Sequence, residues 1–197
     1  MENLQSEYTK LESSLVVTKK VNDKLLEQIE SLERQVNSNA QYSRRECIEV
    51  AGIPKNVSDG DLEQKVCDVF SSIGLDIKPD DIEACHRLRN ERTIVKFLNR
   101  KKCMKILTNK KLLKDVKNED LGFDDEVKLY VNESLCPNYR FIFWRCRILH
   151  QQNKIFSYFT TNGTIKIRVS ENSNVKVITH INDLKKLFPG ESFEQAK

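Results

Sequence analysis

The sequence predicts an α+β protein built from an N-terminal coiled coil, a βαββαβ unit and a small α+β module. Three observations predict this. Apolar residues recur in 3-4 spacing across residues 1–42, a stretch without Gly or Pro. From Cys47 to Leu135, β-prone runs and amphipathic helical runs follow the order strand, helix, strand, strand, helix, strand. After Pro137 come a helical run, a hairpin signal at Asn162-Gly163, a further strand and a last helix.

The chain has 197 residues, of which 39% are hydrophobic and 31% charged, so it is folded but polar. Its net charge of +4 is unevenly spread. Residues 1–40 carry −2, residues 41–113 carry +4, residues 114–126 carry −4 and residues 127–197 carry +6. Two positive blocks around an acidic connector point to an anionic polymer as partner. The six cysteines (47, 67, 85, 103, 136, 146) include no C-x-x-C pair, and no cofactor or metal is expected. Free thiols suit a reducing, intracellular setting, cytoplasmic or nuclear. The N-terminus lacks a signal-peptide core, and no apolar run is long enough to cross a membrane.

In residues 1–42, Leu4, Leu11, Thr18, Leu25, Leu32 and Asn39 take one heptad position. Tyr8, Leu15, Asn22, Ile29 and Val36 take the other, and seven of these eleven are aliphatic. This 3.5 period predicts a self-associating helix about 60 Å long at ~1.5 Å per residue. Leu4, Leu11, Leu15, Asn22, Leu25, Ile29, Leu32 and Val36 form its predicted seam. Ile29 and Val36 favour a dimer, whereas Val21 and Leu26 widen the stripe, which favours more partners. The competing reading is a single helix folded back on the domain. A break is expected at residues 37–40.

Residues 43–135 form the second unit. Cys47–Ile53 reads as a strand closed by Gly52 and Pro54, and residues 61–73 as a helix stopped by Gly74. Strands follow over Asp81–Leu88 and Thr93–Leu98, then a helix over Arg100–Leu113 and a strand over Val127–Val131. The order is ferredoxin-like, as in RNA recognition motifs. Its first and third strands contain one aromatic, Phe97, and no R-G-F/Y signature, so base stacking on the sheet is not expected. Charge is the stronger signal: Arg87 to Lys111 holds ten Lys/Arg and one acid. Arg87, Arg89, Arg92, Lys96, Arg100, Lys101, Lys102 and Lys105 are the candidate phosphate contacts. Residues 114–126 read as a solubilising linker or a weak competitor for that basic face.

Residues 136–190 form the third unit, with 191–197 as a tail. Its helix, from Asn138 to about Gln152, offers Arg140, Arg145 and Arg147, with Trp144 as a core anchor. A two-residue hairpin loop places Phe159 beside Lys166 and Ser157 beside Arg168, a face that suits single-stranded nucleic acid.

Gln41-Tyr42-Ser43-Arg44-Arg45-Glu46-Cys47 followed by Gly52-Ile53-Pro54 resembles the entry to the central domain of LINE-type retrotransposon first-open-reading-frame proteins. Cys85-His86-Arg87, Ile94-Val95-Lys96-Phe97 and Lys128-Leu129-Tyr130-Val131-Asn132-Glu133-Ser134-Leu135 fit the same order. The C-terminal half also resembles the C-terminal domain of the baculovirus few-polyhedra (FP) protein. The resemblances cover roughly residues 20–190. They imply a trimeric coiled coil, a noncanonical RNA recognition motif and a small C-terminal domain that package RNA in a nucleocapsid-like way. Arg87, Arg92, Arg100, Lys101 and Lys102 match the family's basic positions, and Arg145 and Arg147 match more loosely. The short zipper, with no basic head before it, is what a truncated or captured copy would have.

No catalytic constellation stands out, since the three histidines (86, 150, 180) fall in different elements. The expected function is oligomeric binding of single-stranded RNA, or DNA, without enzymatic activity. The alternative is a coiled-coil protein-interaction scaffold, favoured by the missing stacking signature and the acidic connector.

Overall fold

The computed structural model describes residues 2–89, 91–116, 119–123 and 128–193, with side chains described from residue 5 onward and that of residue 120 excepted. It is α+β, with one long helix and two antiparallel sheets. Helix α1 spans Glu2–Tyr42. Its seam is bare: Leu11, Leu15, Leu25, Ile29, Leu32 and Val36 are all more than half exposed. Asn22 is exposed as well, and the side chain of Leu4 lies outside the described residues.

The helix does not break at residues 37–40. Those residues look like a terminus because Asn and Ser compete for backbone hydrogen bonds. Here Asn37 is instead buried and accepts from Asn138 Nδ2 at 2.7 Å. One side of the last turns is anchored, so the helix continues to Tyr42.

The first module contains β1 (Cys47–Ala51), α2 (Leu62–Ser71), β2 (Ile82–Arg87), β3 (Thr93–Phe97), α3 (Arg100–Asn109) and β4 (Tyr130–Glu133). The strand order is β2-β3-β1-β4. Alternation along the strands sends Ile48, Val50, Val95, Phe97 and Val131 to one face, where they pack under Val66, Phe70, Cys103 and Ile106 of the two helices. Fully buried side chains such as Ile48 and Phe97 each contribute roughly 1.5–3 kcal/mol. The helix predicted to run to Leu113 changes to a 3₁₀ stretch over Lys110–Asp115, which turns Leu113 into the core.

The acidic connector is more than a linker. Leu121 and Phe123 are buried in the first core, and Lys65 Nζ donates to the Leu121 carbonyl at 2.7 Å. Residues 117, 118 and 124–127, including the predicted strand start Val127, lie outside the described residues.

The second module contains α4 (Pro137–Gln151), β5 (Ser157–Thr161), β6 (Thr164–Arg168), β7 (Lys176–Ile178) and α5 (Ile181–Leu187). Its core joins Ile142, Cys146 and Leu149 of α4 to Ile165, Ile167, Ile178 and Leu184. Residues 191–193 are not a frayed tail: Phe193 is buried in this core and Glu191 pairs with Lys154. Residues 194–197 lie outside the described residues.

Module two is fastened to α1. Gln41 is buried, donates to the Ser134 carbonyl at 2.9 Å and accepts from the Cys136 N–H at 2.8 Å. Further up the helix, Arg34 bridges Glu30 and Asp183, both at 2.6 Å. His180 Nδ1 accepts from the Asn182 N–H at 3.2 Å, so its Nε2 carries the proton and faces Glu33 at 2.9 Å.

Candidate nucleic-acid interface

The basic run of the first module divides into engaged and open cations. Arg87 donates to the carbonyls of Ile53, Pro54 and Val57, at 2.6 Å for Pro54, and so pins the loop after β1. Lys102 is hydrogen-bonded to Asp81, which with the Lys78 N–H holds that carboxyl below its usual range. Lys96 pairs with Glu83 at 2.6 Å, and the carboxylate raises its pKa. Arg92 reaches Glu49 at 3.1 Å.

Arg100, Lys101 and Lys105 form the open group, and they share one side of α3 along a shallow groove with Met104 and Thr108. Among the described residues, none of the three has a carboxylate partner. The helix has no acid in its first turn, and its N-cap is the neutral Asn99, whose side chain accepts from the Lys101 N–H at 2.8 Å. A helix N-terminus already carries positive partial charge, so cations there add to it at a cost to the helix. The result is a local positive potential suited to an anion. Arg89 is exposed on the β2–β3 connection.

The hairpin of the second module has the predicted register. Phe159 lies opposite Lys166 and Ser157 opposite Arg168, while Val177 of β7 flanks Lys166. Phe159 and Arg168 are exposed on this face, together with Val177. On α4, Arg147 is exposed. Arg140 pairs with Glu49 at 2.8 Å. Trp144 is 45% exposed, so it is not the core anchor its size suggests. It lies 5.9 Å from the Phe141 ring, and the Arg145 guanidinium stands 4.8 Å from its centre. The reason is phase: Ile142, Cys146 and Leu149 already fill the inward side of α4.

Two further cations belong to this surface. Arg44, Arg45 and Arg100 line a crevice where the end of α1 meets the start of α3 and the Asn162-Gly163 turn. Arg45 stacks 3.3 Å from the centre of the exposed Tyr42 ring. The sequence signal is the doubled arginine directly after the heptads. Its meaning depends on α1 ending against both modules. Tyr130, 54% exposed, is the aromatic of the open sheet face, since alternation buries Phe97 among the helices.

The described residues bring no three His, Cys, Asp or Glu together to hold a metal. All six cysteines are free. Burial pushes Cys67 up to about 11 and Cys85, Cys103 and Cys146 up to about 12, so these thiols stay protonated near neutral pH. No described helix is long and apolar enough to cross a membrane.

The chain matches no protein-family model, and no curated protein is significantly similar to it.

Proposed function

We propose that the protein binds single-stranded nucleic acid, RNA in the first place and DNA in the second, as an oligomer. The carrying observation is the Arg100/Lys101/Lys105 side of α3, three cations without carboxylate partners among the described residues. Arg44 and Arg45 extend it toward the hairpin turn of the second module. Order β2-β3-β1-β4 with both helices on one face supports a ferredoxin-like unit of the RNA-recognition kind. The exposed heptad seam of α1 supports self-association as a coiled-coil dimer or trimer. Packaging or chaperoning RNA, as the retroelement resemblance implies, is the physiological form of this activity. The exposed Trp144, beside the half-buried Phe141, favours a protein-interaction scaffold as the second reading.

The test is fluorescence anisotropy with a labelled single-stranded RNA across a salt series, on protein sized by light scattering. Each phosphate contact contributes ~0.7 to the log–log salt slope. Replacing Arg100, Lys101 and Lys105 by Ala is expected to weaken binding and flatten the slope by roughly 2, three contacts at about 0.7 each. Lys102 is left in place because its loss would unpair Asp81. Salt-independent binding, or an unchanged triple variant, would refute the reading.

A further inference from the structure

We infer that Arg92 and Arg140 form a phosphate subsite spanning both modules, and that Glu49 is its resting occupant. The inference rests on the nucleic-acid reading above and adds how that binding is restrained.

Glu49 sits on the central strand β1, on the sheet face turned away from the helices, opposite Ile94 and Asn132. It is 3% exposed. Both of its oxygens are engaged. Oε2 accepts from Arg92 Nη1 at 3.1 Å, and Oε1 accepts from Arg140 Nη2 at 2.8 Å and Ser134 Oγ at 3.3 Å. Arg44 Nη1 supports the serine from behind, donating to its Oγ at 3.1 Å. Arg92 precedes β3 in the first module, whereas Arg140 lies in the first turn of α4 in the second. A single carboxylate therefore joins the two modules.

The pairing is lopsided in two ways. Two guanidiniums converge on the one carboxylate, with a third held on Ser134 next to it. The carboxylate is buried, but the side chains of Arg92 and Arg140 remain 45% and 49% exposed. Two guanidinium forks and a hydroxyl around one anion are the donor set that a phosphodiester oxygen pair takes. Glu49 fills that set from inside. It also places a negative charge where the backbone of a bound strand would cross the sheet, and like charges at such range repel. A phosphate competes with it for the outward faces of the same arginines, so Glu49 lowers affinity while keeping the modules aligned in the free protein.

Glu49→Gln keeps the shape and one acceptor but removes the charge. It is expected to bind a labelled oligouridylate about fivefold or more tightly, a modest coupling between sites. Its salt slope should rise by ~0.7 to ~1.4, for one or two added phosphate contacts. Glu49→Asp, which keeps the charge, should stay close to wild type. In an Arg92→Ala/Arg140→Ala background the gain from Glu49→Gln should vanish.

A folded Glu49→Gln protein that binds no tighter than wild type overturns the inference. So does a gain that persists without the two arginines, which would mark it as a general charge effect. If Glu49→Gln does not fold, Glu49→Ala removes the same charge and leaves both arginines and the Ser134 hydroxyl in place. A gain is then expected, and unchanged affinity overturns the proposal. Wild-type binding without a Glu49→Gln gain sinks this inference alone, whereas no binding by any of the proteins sinks the functional reading with it.

Discussion

Gly52 carries a positive φ of +96°, and a Cβ placed on it would lie 2.3 Å from the Lys128 carbonyl oxygen. Gly74 has a similar φ of +76° with open space around it. The pair separates two costs that glycine normally hides together. Gly74→Ala carries the left-handed backbone penalty alone, about 1 kcal/mol. Gly52→Ala adds a clash with backbone that side-chain motion cannot relieve. We expect it to cost about 3 kcal/mol, at the upper end for a strained position. Urea titration of the two variants checks this, and equal midpoints would refute the clash. The turn at Gly52-Ile53-Pro54 is plain in the sequence. The approach of residue 128 is not, because it depends on β4 pairing beside β1.

Helix α1 uses two different sides. Leu25, Ile29, Leu32 and Val36 mark the seam, whereas Glu30, Glu33, Arg34, Asn37 and Gln41 face module two. At 3.6 residues per turn these stripes are about 120° apart, so docking leaves the heptad stripe exposed. The docking stripe is polar and depends on Asp183. Burial alone would raise the pKa of that carboxyl. The Arg34 guanidinium and the N–H groups of Thr179 and His180 overcome burial and bring it down from 3.8 to about 2. A carboxyl held below its unfolded value stabilises the fold only while ionised. Its contribution, about 2 kcal/mol, is therefore full above about pH 4, declines as the pH falls through 3.8 and is gone below about 2. Asp183→Asn should lower stability at neutral pH and flatten this acid limb. Chemical denaturation at several pH values between 2 and 6 reads both effects. An acid limb as steep in the variant as in the wild type would assign the loss to other carboxyls.

At the scale of the molecule, the end of α1 meets both modules at one point, around Gln41. Its amide satisfies the Ser134 carbonyl and the Cys136 N–H, and it packs beneath Gly163, where an added Cβ would come within 2.8 Å of Gln41 Nε2. Gly163 in turn donates its N–H to Glu133 at 3.0 Å. Little of this was legible in the sequence, although the elements were. Heptads, alternation and Asn162-Gly163 report local periodicity, and the predicted hairpin pairs are the ones formed. Partner choice has no period. Arg87 and Lys102 read like their open neighbours, yet one holds loop carbonyls and the other an aspartate. Glu49 reads as an ordinary strand residue, and its partner Arg140 lies 91 residues away. Asn37 and Gln41 resemble the frayed end of a zipper until the second module is placed on them. Gln41→Ala tests whether this junction sets the geometry of the whole. It leaves a buried carbonyl and a buried N–H unpaired, a loss of about 1–3 kcal/mol for each group. Faster amide exchange is expected across residues 134–136 and at the 162–163 turn, with α2 and α3 unchanged. If the two basic surfaces act on one strand, loosening their relative position also lowers their effective concentration for each other. RNA affinity should then fall although no cation has been removed, with the greatest loss on oligomers long enough to reach both modules. Equal loss on short and long oligomers would mean that the modules bind independently and that Gln41 serves stability alone.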